Sequence, residues 1–311
     1  MKQVATNLLK ALGLVLLLGL ARPASAQYAR KYMNLPEGSS LVYLIGNVTS
    51  SNTWLDTSIP GDDVSARATS ATLVYEYIFS GFGDHTAGLG LAVPYANVLA
   101  YSDLSQAVVT NQSGVGDPAL IFDHNIYGAK AMGREEFGKT APETYGGLHL
   151  VFTIPWGQYD AANPVNLGSN RYSFTLTYNQ SFTWERGLNW VDMYFTGSFY
   201  TANNEYLGNK ILTQVPLAQL QVFYSRTILE ATQTWLQAGV IWTGFGATYV
   251  DGVQQGANQN NWQIALGFGT NMWAGGVLIF TYSDTIHRVN ATTPRAENFM
   301  VMLMQILGGA P

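Results

Sequence analysis

The chain has 311 residues, no cysteine, 13% aromatic residues and a formal net charge of −5. Only 11% of its residues are charged, against roughly 25% in soluble domains. Without cysteine there is no disulfide framework and no thiolate metal site, and no apolar run after Ala26 is long enough for a membrane helix.

Met1 to Ala26 has the build of a cleaved signal peptide. Lys2 and Lys10 supply positive charge, Ala11 to Ala21 is apolar, and Ala24-Ser25-Ala26 is a small-residue cleavage site before Gln27. No cysteine stands near the cut, so a lipoprotein anchor has no acceptor. Cleavage would remove Lys2, Lys10 and Arg22 and no acid. The remaining 12 basic and 20 acidic residues leave a net −8, which argues against nucleic acid or anionic lipid as partner. Residues 27–39 carry Tyr28, Arg30, Lys31 and Tyr32 ahead of Pro36 and Gly38. They form either a periplasmic tail or a plug segment tucked inside the rest of the fold, and the sequence leaves both open.

From residue 40 to 311 the pattern is strand after strand. The first runs from about Ser40 to Thr49 and leads to a polar outer loop, Ser50 to Ser65. The second, Ala66 to Phe79, sends Leu73, Tyr75 and Tyr77 to one face and Thr72, Val74 and Glu76 to the other. After a tight turn at Ser80 to Asp84, the third strand, His85 to Val98, has Gly88, Gly90, Ala92 and Pro94 on its inner face, which leaves room there. Tyr101 to Gly114 reads as a polar loop and Gly116 to Tyr127 as the fourth strand, with Asp123 and Asn125 facing inward. Gly128 to Thr144 is densely charged and long for an inner turn, with room for a helical turn.

Tyr145 to Phe182 states the alternation most clearly, as one hairpin. Leu148, Leu150, Phe152 and Ile154 oppose Gly147, His149, Val151 and Thr153, and Tyr172, Phe174, Leu176 and Tyr178 oppose Arg171, Ser173, Thr175, Thr177 and Asn179. Strand seven spans Leu188 to Tyr200 with Asp192 inward; strand eight Gln214 to Arg226; strand nine Trp235 to Tyr249. Trp262 to Asn271, Gly275 to Ile286 and Asn298 to Leu307 complete twelve. Lipid accepts only backbones whose amides are all paired, and a tilted crossing needs about 9 to 11 residues, so the prediction is an all-β, transmembrane, antiparallel up-and-down β-barrel of the outer-membrane type. Long polar loops alternating with short turns agree with it.

The functional candidates are of two kinds. Glu76, Asp123, His149 and Asp192 fall on the inner face toward the periplasmic half, and Arg171 near the outer mouth. They form either a narrowing that selects or binds solute or a polar network that fills a narrow cylinder. The long hairpin loop supplies Pro155, Gly157, Tyr159, Asp160, Asn166, Gly168 and Asn170. Pro155 and Gly157 end a strand at the rim, Asp160, Asn166 and Asn170 fix the loop through backbone amides, and Gly168 serves a tight turn. The reading is a structured outer loop, with solute contact at the mouth as the alternative. Gly114-Val115-Gly116-Asp117 lacks the Lys and helix of a phosphate loop, no His or Cys cluster has metal-ligand spacing, and His149-Leu150-Val151 lacks the His-x-Ser-Asn-Gly pattern of outer-membrane phospholipases. Neither a cofactor nor an enzyme activity is expected.

GVGDPAL (Gly114 to Leu120), FTIPWGQYD (Phe152 to Asp160) and NLGSNRYSF (Asn166 to Phe174) resemble the signature of the outer-membrane barrels labelled as the putative MetA-pathway of phenol degradation family. Trp156 stands where that family usually has Thr, and the chain ends in Gly308-Gly309-Ala310-Pro311 in place of a terminal aromatic. The resemblance implies a Gram-negative outer-membrane protein that passes hydrophobic or aromatic compounds. With no nucleotide motif or inner-membrane span, passage would be passive. The other readings are a non-conducting barrel working through its outer loops and, behind it, an outer-membrane hydrolase.

Overall fold

The computed structural model describes residues 28–54, 63–102, 108–163, 166–289 and 295–308. The expected signal peptide and Gln27 lie outside the described residues, as do the middle of the first outer loop and the last three residues.

The first five strands in chain order are β1 (Ser39–Trp54), β2 (Asp63–Ser80), β3 (Thr86–Ser102), β4 (Val108–Val115) and β5 (Ala119–Tyr127). The expected central hairpin gives β6 (Tyr145–Thr153) and β7 (Ser173–Trp184), and β8 (Asn189–Tyr200) comes next. After β9 (Asn203–Tyr206) and β10 (Lys210–Gln214) come β11 (Leu217–Leu229) and β12 (Thr234–Phe245). The last five are β13 (Thr248–Val250), β14 (Val253–Gly256), β15 (Gln259–Trp273), β16 (Gly276–His287) and β17 (Arg295–Gly308). Each main strand pairs antiparallel with its neighbours, and the ring closes where β1 pairs β17, from Ser39 opposite Gly308 to Asn52 opposite Arg295. Counting β4 and β5 as two halves of one staff against β3, the barrel has twelve strands. The small strands β9, β10, β13 and β14 form a separate four-stranded sheet above the long-loop rim.

The alternation read from the sequence is the alternation of the wall. Leu73, Tyr75, Leu89, Leu91, Phe152, Phe174 and Phe195 are exposed on the outside, where lipid would cover them. Thr72, Glu76, His149, Thr177, Asn179 and Asp192 are buried on the inside. Short turns such as Glu185 to Gly187 and Ala274-Gly275 lie on the rim that also carries Ser39 and Gly308, and long loops lie on the other, the asymmetry of periplasmic and outer faces.

Three expectations are corrected. The fourth strand does not begin at Gly116: Gly116, Asp117 and Pro118 break it, and β4 occupies Val108 to Val115, read as loop. Pro118 has no amide to give a ladder, and β4, with Asn111, Gln112 and Ser113, pairs the outer part of β3, where no greasy face is required. Strand nine ends at Phe245, because Gly246 (φ +80°) turns the chain before β13. Strand eight begins at Leu217, not Gln214, because Gln214 ends β10, which with β9 lies between strands seven and eight. The charged stretch from Gly128 to Thr144 does contain one short helix, Arg134–Lys139.

Lipid-facing and lumen-facing positions should differ in their tolerance of charge. Leu91→Arg, on the outside of β3, is expected to cost about 2–4 kcal/mol of folding into liposomes if it sits near the midplane. Thr175→Arg, facing the interior, should leave insertion intact. Urea titrations of both variants check the pair.

Candidate functional site

The interior begins at its floor. Residues 28–38 run back from the start of β1 into the lumen, anchored at the rim where Gly38 N–H donates to the Ile78 carbonyl and Glu37 N–H to the Met132 carbonyl, both within 3 Å. Thr86 Oγ1 donates to Asn34 Oδ1. Deeper, Ala29 is fully buried and its amide donates to Gln237 Oε1 at 3.0 Å. Arg30 is the anchor. Its amide donates to Asp192 Oδ2 at 2.9 Å, Nε to Ser225 Oγ at 2.9 Å, and Nη2 to Thr227 Oγ1 at 3.1 Å and the Leu188 carbonyl at 3.3 Å. Its guanidinium also lies 5.0 Å from the centre of the Trp235 ring. Arg30 has φ +61°, the left-handed region that costs an ordinary residue on the order of 1 kcal/mol. Its hydrogen bonds offset that strain.

Four of the five sequence-predicted lumen residues surround this segment. Asp192 receives the Arg30 amide and the Ser181 hydroxyl at 2.6 Å. His149 is held on three sides: Nδ1 meets Asp123 Oδ1 at 2.8 Å, Nε2 meets Asn179 Oδ1 at 2.7 Å, and the Tyr32 ring stacks on it at 3.4 Å between centres. Glu76 accepts from Tyr43 across 3.4 Å. The space expected at Gly88 is filled, since a Cβ there would collide with Glu76 Oε1, and one at Gly90 would lie 3.2 Å from Glu76 Cβ. The bare strand is the niche into which Glu76 folds. Arg171 stands apart near the outer rim, buried, with Nη2 on Gln214 Oε1 at 2.6 Å and its guanidinium 4.6 Å from the centre of the Tyr200 ring. Burial pulls its pKa down to about 10, so it stays a cation at neutral pH.

Above the floor lies a cavity of about 160 Å³, close to the volume that admits one benzene ring in an apolar protein interior. Its two walls differ. Tyr43, Ile45, Val74, Ala92, Ile121 and Val151, from β1, β2, β3, β5 and β6, make one side apolar. From β7, β8 and β11 come Ser173, Thr175, Thr177, Thr196, Ser198 and the glutamines 219 and 221. The register sets Thr175 opposite Ser198 and Thr177 opposite Thr196, and their hydroxyls meet at 3.0 and 2.9 Å. Tyr28, Lys31, Tyr32, Glu76 and Asp123 close the floor.

The hairpin-loop motifs perform a structural task at the wall. β6 stops at Thr153 while β4 runs on outward, so beside β4 the wall is completed by loop: Ile154 N–H donates to the Pro118 carbonyl and Gln158 N–H to the Val115 carbonyl, both at 2.9 Å. Asp117 locks the seam, accepting from Gly157 N–H at 2.8 Å, Ser169 N–H at 2.7 Å and Ser169 Oγ at 2.6 Å. Gly168 lies at a bend, and its missing side chain also permits a close backbone approach. A Cβ on it would lie 2.7 Å from the Gly157 carbonyl, and one on Gly157 would lie 2.6 Å from the Gly116 carbonyl carbon, so three backbone passages touch. Asn166 accepts from Asp160 N–H and donates to the Asp160 carbonyl. Asn170 (φ +49°) and Tyr159 reach instead to Asn203 and Glu205 of β9. Pro155 sits where β6 has ended.

Sequence reasoning missed Arg30 and Asp117. A tight basic and aromatic cluster, Tyr28 to Tyr32, in a chain so poor in charge was the available signal for the first. For the second it was an acid placed between a glycine and a proline.

The profile of the family described as "Putative MetA-pathway of phenol degradation" matches residues 45–281. The chain belongs to that family. Among solved structures it is similar to an outer membrane channel from Pseudomonas putida F1, with 17% identity, a TM-score of 0.75, and coverage of 90% of this chain and 99% of that one. It is also similar to the beta domain of the Bordetella autotransporter BrkA, with 9% identity, a TM-score of 0.56, and coverage of 87% and 100%. These likenesses give the fold: an outer-membrane barrel. A search of curated proteins found no match. The family motifs fall on the seam: Asp117, Gly157, Gly168 and Ser169 belong to the three segments that resemble its signature.

Asp117→Ala removes a charged acceptor from three donors, each such bond being worth about 1.5–3 kcal/mol. The expected outcome is a folded barrel whose loop between Ile154 and Asn170, which contains Trp156 and Tyr159, is cut by chymotrypsin at least several-fold faster than wild type. Unchanged cleavage would show that the seam does not depend on this carboxylate.

Proposed function

We propose that the protein is a passive outer-membrane channel of a Gram-negative bacterium, exported with a cleaved signal peptide, that passes small aromatic or otherwise apolar molecules. The observation that carries the reading is a ring-sized, half-apolar cavity inside a closed cylinder, bordered by Tyr28, Lys31 and Tyr32 of the segment ahead of β1. The family's name points to aromatic metabolism, and the similar Pseudomonas putida protein is an outer membrane channel.

In this reading residues 28–38 act as a plug that shifts for passage. Glu76, Asp123, His149 and Asp192 serve as its seat as well as the narrowing. Arg30 governs how firmly it is held, because it combines three side-chain hydrogen bonds, a backbone bond to Asp192 and stacking on Trp235. Nothing in the lumen supplies an energy source, so flux follows the gradient. A catalytic role for His149 has little support, since both ring nitrogens and one ring face are already occupied.

The separate outer sheet of β9, β10, β13 and β14 favours a second reading, a non-conducting barrel that works at the cell surface. Planar bilayers distinguish the two. Wild-type protein is expected to give small, brief openings, and Arg30→Ala or deletion of residues 28–35 should raise mean conductance several-fold while heat-modifiable mobility on gels persists. No flux of ions or aromatic solutes from wild type or plug variants would overturn the channel reading in favour of the surface one.

A further inference from the structure

The titratable side chains of the floor stand in one line of contacts. Glu76 is hydrogen-bonded to Asp123. Asp123 Oδ1 meets His149 Nδ1 at 2.8 Å, and His149 Nε2 meets Asn179 Oδ1 at 2.7 Å. Asn179 Nδ2 reaches Ser181 Oγ at 3.3 Å, and Ser181 Oγ reaches Asp192 Oδ1 at 2.6 Å. The line crosses β2, β5, β6, β7 and β8. Residues 28–38 close upon it, with the Arg30 amide on Asp192 and the Tyr32 ring over His149.

Each of these five contacts needs one hydrogen. Asn179 gives one, since its amide turns an oxygen to one neighbour and nitrogen to the other, Ser181 gives one, and a neutral imidazole gives one. With the acids ionised, three hydrogens serve five contacts, and the shortfall is the same whichever way Asn179 is turned. The intact line therefore holds two protons beyond that state, five less three, wherever along it they sit. Water donates as well as accepts, so a flooded floor has no such need.

We propose that this line is a proton-held latch: residues 28–38 stay seated while it keeps its added protons and withdraw as rising pH removes them. The inference rests on the reading of residues 28–38 as a plug, whose regulation it names. Its sign follows from the count. The seated state binds more protons than the flooded one, where carboxyl and imidazole groups lose theirs between about pH 4 and 7. Seating is thus favoured at low pH and weakens as pH rises. The other titratable groups facing the line are Tyr28, Arg30, Lys31 and Tyr32 of the segment, Tyr43 of β1, Tyr145 of β6 and Tyr194 of β8. Phenols ordinarily titrate near 10, and Arg30, pulled by burial to about 10, stays a cation. Lys31 works in the opposite sense: burial pulls its amine down to about 8, so withdrawal favours taking up a proton there, and the test stays below that value.

In planar phosphatidylcholine bilayers with equal pH in both chambers, the open probability of the protein is expected to rise at least about tenfold from about pH 5 to 7, a net release of about half a proton or more per unit. Glu76→Gln with Asp123→Asn supplies the two missing hydrogens as amide N–H groups, all donating in one direction toward Asp192. This double variant should stay closed, changing less than about threefold over that range, whereas Arg30→Ala should be open at both ends of it. Glu76→Gln alone supplies one of the two hydrogens and should give a shallower rise than wild type, which decides the matter if the double variant does not fold. A flat wild type beside an open Arg30→Ala, or amide variants as steep as wild type, would overturn the latch and leave the channel standing. If neither wild type nor Arg30→Ala conducts at any pH, both fall.

Discussion

The constraint on which the molecule rests is that a backbone amide inside hydrocarbon has no water to bond. Every strand must find partners on both sides, which only a closed ring provides. Given the ring, side chains alternate between oil and lumen with period two, and all other features are variations on that alternation. The extended ladders of β1 with β2 and with β17 satisfy this requirement at the point of closure.

Where the ring is incomplete, the chain makes good the loss with side chains. β6 stops short of β4, and the missing ladder is replaced by two loop amides, one carboxylate and three glycine passages in contact. Such a seam is more specific in sequence than the strands around it, because Asp117, Gly157 and Gly168 each have a job that few residues can do. That explains why the recognisable motifs of the chain gather at one seam, where the β4–β5 break meets the β6–β7 loop, while the strands, which need only alternate, carry little signature.

Much of the fold is legible in the residues alone. The alternation sets the facing of Leu73 against Glu76 and of Phe174 against Thr175, and the twelve main strands arise from it. The polar strand β4 is not legible, since outside the bilayer nothing requires Asn111 or Ser113 to differ from a loop. The room at Gly88 and Gly90 is visible as absent side chains, but its occupant, Glu76, comes from the neighbouring strand. The seat of residues 28–38 is hidden for a different reason. Arg30 meets Asp192 and Ser225 across 162 and 195 positions, and pairings that distant leave no local pattern. Hence the two states of residues 27–39 can be posed but not decided from the sequence.

The segment of residues 28–38 is continuous with β1, and β1 is also the strand that meets β17 to complete the ring. Filling the lumen and sealing the wall are thus tied to the same short stretch of polypeptide around Gly38 and Ser39. A nascent sheet still open at that edge would expose an unpaired ladder and the polar groups of Asp192 and His149 together. Closing the ring between β1 and β17 therefore removes both from exposure together.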